Sequence, residues 1–345
     1  MSVERIVSAT PLDAAEEKAN VSLRPQNFDE FIGHAELIEK VVIAVKAART
    51  RGEQVDHILF YGPPGLGKTS LSHIVANEME SKIFATSGPA LVRAGDLMGI
   101  MTNLGERDVL FIDEIHRLSP TVEELIYPAM EDFQVDFVVD KGAFAKTVKV
   151  PLKPFTLVGA TTRAGLLSAP LRDRFGIHLH VDFYSHEDIC KIIRRSAGIL
   201  GTEITDSTAV DLMARSSRGT PRVANRLLRR VRDFAQVKAN GAITVEVAER
   251  ALKMEGIDER GLDNLDRKFL RTIIDYYSGG PVGIEALAAT LNEEVDTFVD
   301  MVEPYLLKIG FLLRTRQGRI AGPDAYTHLG VENSPPSASD QPGLF

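Results

Sequence analysis

The sequence predicts an α/β fold built on a mostly parallel sheet, followed by a small helical domain and a C-terminal winged-helix domain. Three observations support this prediction. Short apolar runs alternate with helical patterns up to about residue 184, which is typical of a parallel sheet with crossover helices. Only helical patterns follow, up to about residue 255. Three more helical patterns, over Asp266–Tyr277, Ile284–Leu291 and Val295–Ile309, then precede two short strands around Gln317-Gly318, which is a hairpin signal.

The strands of the first domain are apolar on nearly every residue. This holds for His57–Tyr61, Val109–Asp113 and Phe155–Ala160. Strands that are covered on both faces of a sheet have this composition, so these three belong in its interior. Helical patterns lie between them, over Glu36–Arg51, Lys68–Met79 and Pro120–Glu131.

These patterns divide the chain into five predicted segments. The second domain starts at Ser185, where a capping box begins a helix. The last residues are rich in proline and serine, which is typical of a disordered tail. We therefore predict a mobile arm (1–21), a large sheet domain (22–184), a small helical domain (185–255), a winged-helix domain (256–330) and a disordered tail (331–345).

The composition restricts the class of protein. No apolar run approaches the roughly 20 residues that span a bilayer, and the N-terminus has no signal-peptide pattern. Cys190 is the only cysteine, so no internal disulfide exists and we expect a cytoplasmic protein. The formal net charge is −8. Because an acidic chain does not attract nucleic acid through its overall charge, any DNA contact must come from locally clustered arginines.

A glycine-rich segment predicts a phosphate-binding loop. Gly62 to Thr69 fits the pattern G-x-x-x-x-G-K-[ST], after a strand and at the start of a helix. Glycines let the backbone curl so that its N–H groups face phosphate oxygens, and the helix adds the positive end of its dipole. Lys68 supplies a charge for the β- and γ-phosphates of ATP, and the Thr69 hydroxyl is a Mg²⁺ ligand. The predicted nucleotide-binding residues of this loop are Gly62, Gly65, Gly67, Lys68, Thr69 and Ser70.

Two carboxylates complete this predicted site. Asp113 and Glu114 follow four apolar residues of a buried strand. Ligands of open α/β sheets bind at the carboxyl ends of the strands, so both acids should lie near the phosphate loop. We expect Asp113 to hold Mg²⁺, and Glu114 to orient and deprotonate the attacking water.

Several stretches carry a resemblance to a known family. Leu23-Arg24-Pro25 with Phe28–Gly33, then Gly159–Arg163, Leu171–Gly176 and Gly219–Arg226 are similar to signatures of the RuvB family of AAA+ ATPases. The resemblance runs from about residue 23 to about residue 322. It implies an AAA+ P-loop NTPase core, a helical lid and a winged-helix head. The implied activity is ATP hydrolysis that drives branch migration of Holliday junctions.

The resemblance also implies roles for further residues. Thr161 matches sensor 1, a hydroxyl that positions the water or the γ-phosphate. Arg174 matches the arginine finger that reaches the ATP of a neighbouring subunit, with Arg172 as the competing candidate. Arg222 matches sensor 2, which couples the lid to the γ-phosphate. The implied pocket-lining positions are Leu23, Arg24, Glu131, Asp132, Phe133 and Tyr184.

Family membership would imply several partners. A finger that acts on a neighbour requires head-to-tail contacts, which close into rings, and the family forms homohexamers around double-stranded DNA. The family hairpin that grips the junction-binding partner RuvA corresponds to Gln134–Leu152, and RuvC is a further partner of the resolving complex. The apolar set of this hairpin is Phe137, Val138, Val139 and Phe144. Its tip, from Asp140 to Phe144, departs from the usual family pattern, so the details of the RuvA contact stay open.

Two C-terminal features point to other contacts. Pro304–Pro323 contains four basic residues and no acid, which is the local positive tract that an acidic DNA-binding chain needs. Arg314 and Arg319 match the wing arginines with which the family touches the DNA backbone, a sequence-independent contact. The last five residues, Gln341–Phe345, resemble peptides that dock on bacterial sliding clamps.

Three other functions have discriminating features. A clamp-loader-like switch would use ATP to open a partner ring without moving DNA, and it should carry a helical collar where this chain has a winged-helix pattern. A transcription activator would need a Gly-Ala-Phe-Thr-Gly-Ala loop, of which Gly142–Phe144 matches only three residues. A non-catalytic binding module would not need Glu114.

Overall fold

The computed structural model describes residues 22–138 and 147–331. The predicted arm, the hairpin tip with Val139 and Phe144, and the tail with Gln341–Phe345 lie outside these residues. The chain divides into two compact units, one over Asn20–Asp188 and one from Ile189 onward. Within the described ranges, no helix combines the length and the apolar character needed to cross a bilayer.

A five-stranded parallel sheet forms the centre of the first unit. Its strand order is β2-β3-β6-β1-β7, and every pairing within it is parallel. The predicted strands at its centre are confirmed, and all of their residues except the last of β1 and β3 are buried. The strands of the sheet are β1 (Ile58–Tyr61), β2 (Ile83–Ser87), β3 (Val109–Asp113), β6 (Thr156–Thr161) and β7 (Ile177–His180).

Helices and a hairpin surround this sheet. The helix after Ser119 begins at Pro120, as predicted from proline at the first helical position. Strands β4 (Gln134–Val138) and β5 (Thr147–Pro151) form a separate antiparallel hairpin. The α-helices of this unit are α1 (Ala35–Arg51), α2 (Lys68–Glu78), α3 (Ala94–Met101), α4 (Pro120–Glu131) and α5 (Ala169–Arg172).

The second unit is helical up to a short C-terminal hairpin. Its first helix, α6 (His186–Ile199), starts at the end of the first unit. The next helices are α7 (Ser207–Ser216), α8 (Pro221–Lys238) and α9 (Val245–Met254). After them come α10 (Asn264–Arg271), α11 (Ile284–Leu291), α12 (Val295–Thr297), α13 (Glu303–Lys308), β8 (Leu312–Arg314), β9 (Arg319–Ala321) and α14 (Pro323–Leu329).

Two predicted helices of this unit are interrupted. The helix expected over Asp266–Tyr277 changes to π-helix at Thr272–Tyr276, and the helix expected over Val295–Ile309 contains a π-helical turn at Phe298–Val302. Both turns pack into one apolar core, in which the rings of Phe269 and Phe298 lie 4.9 Å apart. The predicted fold class, a parallel α/β core with a helical lid and a winged-helix domain, is confirmed.

Candidate active site

Three neighbouring strands end at one edge of the sheet, and each is followed by a predicted site residue. Strand β1 leads into the phosphate loop, β3 ends at Asp113 and β6 ends at Thr161. The pairing Tyr61↔Thr161 brings the ends of β1 and β6 side by side, and β6 also pairs with β3. The parallel register therefore collects the loop, the carboxylates and the threonines at the carboxyl edge of the sheet.

The phosphate loop requires its glycines. Gly62, Gly65 and Gly67 have φ values of +143°, +76° and +98°, a region that side chains with a Cβ rarely adopt. A Cβ on Gly62 would also collide with the carbonyl oxygen of Val181. The chain therefore curls back over the sheet edge at a point where only glycine fits.

The lysine of the loop is held inside it. Lys68 is 6% exposed, and its Nζ donates hydrogen bonds to the carbonyl oxygens of Gly62 (2.7 Å) and Pro63 (2.8 Å). Thr69 and Ser70 follow in the first turn of α2 and are partly buried. The loop thus presents a fixed cation, two hydroxyls and a helix N-terminus together, which suits an anionic phosphate group.

Tyr184 connects the loop to the segment before α1. Its hydroxyl donates a hydrogen bond to the carbonyl oxygen of Leu66 (3.1 Å), and its ring packs edge-on against His34 with centroids 4.5 Å apart. Burial raises the pKa of Tyr184 above its usual value. Burial also lowers the pKa of His34, against the opposing effect of nearby Asp182 and Asp188. Both side chains therefore stay neutral near pH 7.

The segment around Leu23 and Arg24 packs near α2. Leu23 is buried, and Arg24 lies close enough to His73 on α2 for its charge to lower the pKa of that imidazole, in addition to the larger effect of burial. The structure thus places the predicted positions Leu23, Arg24 and Tyr184 around the helix that carries the phosphate loop.

The backbone at the two carboxylates is constrained. The Oδ1 of Asp113 accepts a hydrogen bond from the backbone N–H of Glu114 (2.9 Å). Glu114 itself has a left-handed backbone with φ +48°, which is uncommon for a residue with a side chain. A Cβ on Gly88 would collide with the carbonyl oxygen of Glu114, so the end of β2 also packs against this turn. Strained backbone of this kind is common at catalytic residues.

The side chain of Glu114 has two polar partners that the sequence did not reveal. Its Oε2 accepts a hydrogen bond from the hydroxyl of Thr162 (3.2 Å) and lies 3.3 Å from Nδ1 of His116. The hydroxyl of Thr161 instead lies 2.8 Å from the same Nδ1 and accepts a hydrogen bond from the backbone N–H of Arg163.

The two adjacent threonines have different surroundings. The hydroxyl that we expected to position the water or the γ-phosphate is that of Thr161, but its fully buried side chain contacts His116, and Thr162 makes the contact with Glu114. The reason is that successive side chains of an extended segment point to opposite sides, so only one of two adjacent threonines can face the acid. The sequence shows the pair, but it does not show which member faces the carboxylate.

Glu131, Asp132 and Phe133, which we predicted to line the pocket, lie far from the phosphate loop of their own subunit and next to Arg174. Helix α4 starts after β3 at the carboxyl edge and runs back along the sheet. The ring of Phe133 packs 6.4 Å from that of His57 and 5.9 Å from that of Phe155, and these two residues directly precede β1 and β6. This stretch thus lies at the edge where the strands begin, opposite the phosphate loop.

Arg174 lies at that same amino edge. It precedes β7, whose first residue pairs with the first residue of β1. Its guanidinium donates to the carbonyl oxygen of Pro170 (2.7 Å), forms an ion pair with Glu131 (3.1 Å) and lies 4.4 Å from the ring centroid of Tyr127. The competing candidate, Arg172, forms an exposed contact with Asp173. The full length of β1 therefore separates Arg174 from the phosphate loop of its own subunit.

The second unit carries the other predicted site residues. Arg222 lies in the first turn of α8. Arg314 is exposed at the end of β8, next to the exposed Arg316.

Arg319, the second predicted DNA contact, is paired within its own domain. The side chains of Arg319 and Glu303 are only 10% and 2% exposed. The Nε and one terminal nitrogen of Arg319 bond the two carboxylate oxygens of Glu303, at 2.6 and 3.3 Å. Because both partners are buried in this bidentate pair, Arg319 would have to leave Glu303 to contact a phosphate, and its DNA contact stays a prediction.

Comparison with known proteins agrees with this architecture. Three family models match the chain: the P-loop domain of the Holliday junction DNA helicase RuvB over residues 23–181, the RuvB AAA lid domain over 184–258 and the RuvB C-terminal winged-helix domain over 259–330.

Solved structures of similar proteins include the RuvB Holliday junction branch migration motor of Thermotoga maritima. It is 50% identical, covers 90% of this chain and 99% of its own, and has a TM-score of 0.83. A lysine-to-arginine variant of that protein (51% identity, TM-score 0.83) and an arginine-to-alanine variant (51%, 0.82) match over the same shares of both chains. With matching models over residues 23–330 and half of its residues identical to a solved member, the chain belongs to the RuvB family.

Proposed function

We propose that this chain hydrolyses ATP to drive branch migration of Holliday junctions, as the motor subunit of a ring on duplex DNA. One observation carries the proposal. A buried lysine in a glycine loop lies at the same sheet edge as the adjacent acids Asp113 and Glu114. In the RuvB family, this combination belongs to a motor that acts on DNA junctions.

The residues at this edge suit a triphosphate with Mg²⁺. Asp113 and Thr69 offer the oxygen ligands that Mg²⁺ prefers, and the positive φ values of the loop glycines let the backbone curl around a phosphate. Bound Mg²⁺ would neutralise negative charge on the phosphate oxygens. Lys68 adds a fixed positive charge, and Glu114 accepts the proton of the attacking water. Thr162, which bonds Glu114, takes the sensor role that we first assigned to Thr161.

An arginine from a neighbouring copy would complete the site. Arg174 lies at the amino edge of the sheet and its own phosphate loop at the carboxyl edge, so it suits a neighbour's ATP better than its own. Contacts between unlike edges are head-to-tail and close into a ring, and the proposed ring is a homohexamer. Arg222 would couple the lid to the nucleotide in the same subunit.

The proposed partners follow from the exposed surfaces. Arg314 precedes the wing turn, Arg316 lies in it, and both are exposed and suit the DNA backbone. The hairpin β4–β5, with Val148 46% exposed, is the proposed site for RuvA, with RuvC as a further partner of the assembly. A clamp-loader-like switch is not favoured, because residues 259–330 match a winged-helix domain rather than a helical collar.

A junction-dissociation assay tests the proposed function. The full chain is incubated with a synthetic Holliday junction, Mg²⁺ and ATP, with and without RuvA. We expect Lys68→Ala to lower ATP-dependent dissociation by about 100-fold or more, because the site loses a charge that stabilises the transition state. Lys46→Ala is the matched control, since Lys46 is an exposed lysine of the same unit. ATP turnover without junction dissociation, even with RuvA present, would favour the switch instead.

A further inference from the structure

The buried imidazole of His116 contacts the carboxylate of Glu114. His116 belongs to a short 3-10 helix, Ile115–Arg117, which follows Glu114. Its side chain is 6% exposed, against 33% for that of Glu114. Its Nδ1 lies 2.8 Å from the hydroxyl oxygen of Thr161 and 3.3 Å from Oε2 of Glu114. One ring nitrogen thus connects a fully buried hydroxyl to the carboxylate.

The chemistry of the partners determines which atom donates. An ionised carboxylate only accepts hydrogen bonds, so Nδ1 of His116 must carry the proton for its contact with Glu114 to be favourable. The hydroxyl oxygen of Thr161, which already accepts from the backbone N–H of Arg163, has a second lone pair for the same Nδ1–H. The imidazole is therefore a donor that points at the carboxylate, and Thr161 fixes its ring.

Two donors then converge on one oxygen of Glu114. The Thr162 hydroxyl and the His116 Nδ1 both reach Oε2, from two different segments of chain. The backbone of Glu114 is already constrained by its left-handed conformation and by its hydrogen bond to Asp113. With the backbone and one oxygen fixed, the orientation of the carboxylate is set before the water attacks.

We propose that His116 is a positioning residue for ATP hydrolysis, whose Nδ1–H, anchored by Thr161, orients the Glu114 carboxylate toward the attacking water. This inference rests on the proposed function, because it assigns a role within the same hydrolytic site. In this role, His116 acts through Glu114 and not through the nucleotide. Its loss should therefore lower the rate of the chemical step and leave ATP binding unchanged.

Substitutions of His116 by the two amide residues distinguish a positioning role from a purely structural one. The side-chain nitrogen of asparagine takes the place of Nδ1, whereas that of glutamine takes the place of Nε2. His116→Asn therefore keeps a donor facing Glu114, and His116→Gln moves the donor away from it. A purely structural role would not favour asparagine, because glutamine is closer to histidine in volume.

The experiment measures steady-state ATP hydrolysis by the full chain with duplex DNA and Mg²⁺. We expect His116→Phe and His116→Gln to lower kcat by about 10- to 100-fold, the usual effect of losing a group that orients a catalytic residue. KM for ATP should stay unchanged, and His116→Asn should recover most of kcat. Melting temperature and binding of a fluorescent ATP analogue check the fold of each variant.

The outcomes separate this inference from the proposed function. Equal kcat values for the Asn and Gln variants, or a defect that appears only in KM, would overturn the positioning role while the natural chain still hydrolyses ATP. If His116→Phe does not fold, the Asn and Gln pair decides the question. A natural chain with no ATP hydrolysis would overturn the proposed function and the inference together.

Discussion

Arg314 and Arg319 are opposite each other across the wing hairpin, yet their environments differ. Their Cα atoms are cross-strand partners, but Arg314 is exposed and Arg319 is paired with buried Glu303. The sequence did not distinguish them, because both flank the same turn. The difference comes from Glu303, sixteen residues before Arg319, whose burial cannot be read from the spacing. At the scale of the residue, one arginine is a candidate for DNA and the other holds the domain together.

This difference predicts opposite effects of two alanine variants. Arg314→Ala should weaken duplex binding, because one phosphate contact is lost. The slope of log K against log[salt], where K is the binding constant for the duplex, should become shallower by about one. Arg319→Ala should destabilise the fold by about 3–5 kcal/mol, because it leaves the carboxylate of Glu303 buried without its partner. Fluorescence anisotropy at several salt concentrations and urea unfolding measure the two effects. An unchanged salt slope for Arg314→Ala, or full stability for Arg319→Ala, would contradict these assignments.

At the scale of the element, the turn between α7 and α8 is fixed to the winged-helix domain. Arg218 in this turn forms an ion pair with Asp266 of α10, and both side chains are almost fully buried. Its Nε donates to the carbonyl oxygen of Gly261 (2.8 Å), and its guanidinium lies 5.0 Å from the ring centroid of Tyr305. Within the second unit, the helical domain and the winged-helix domain thus share a buried charged contact.

We expect Arg218→Ala to lower the free energy of unfolding of the second unit by about 3–5 kcal/mol, because the buried Asp266 loses its cation. Arg230→Ala is the control: Arg230 forms an exposed ion pair with Asp233, of the kind that contributes about 1 kcal/mol or less. Urea unfolding of the full chain, followed by circular dichroism, measures both. Equal small losses for the two variants would mean that the buried pair does not hold the domains together.

The elements that the sequence predicted, and those that it missed, differ in burial. The central strands β1, β3 and β6 are apolar on nearly every residue, so their pattern was clear. The edge strand β7 alternates Leu179 with exposed His178 and His180, and the half-buried edge strand β2 has no such apolar run. The π-helical turns could not be predicted from the sequence either, because a single wide turn leaves the apolar spacing of a helix almost unchanged.

At the scale of the whole molecule, the sheet separates the two halves of the proposed shared site. The phosphate loop, Asp113 and Glu114 lie at its carboxyl edge, and Arg174 lies at its amino edge. Loop motifs and strand ends made the first half predictable, because parallel strands bring their ends together. The contacts of Arg174 with Tyr127 and Glu131 join the segment before β7 to the end of α4, and no local pattern predicts a contact between segments so far apart in the sequence. The central claim is that one copy supplies the acid and its neighbour supplies the arginine.

Mixing two inactive variants tests this claim most directly. Arg174→Ala should lower kcat by about 10³- to 10⁵-fold, as for arginine fingers in related NTPases. Glu114→Gln should also be inactive, because it removes the group that accepts the proton of water. In an equal mixture, roughly one interface in four of a head-to-tail ring pairs an intact Glu114 with a neighbour's intact Arg174. We predict that the mixture, with duplex DNA, hydrolyses ATP well above the sum of the two variants alone, whereas a mixture no more active than that sum would contradict a site shared between subunits.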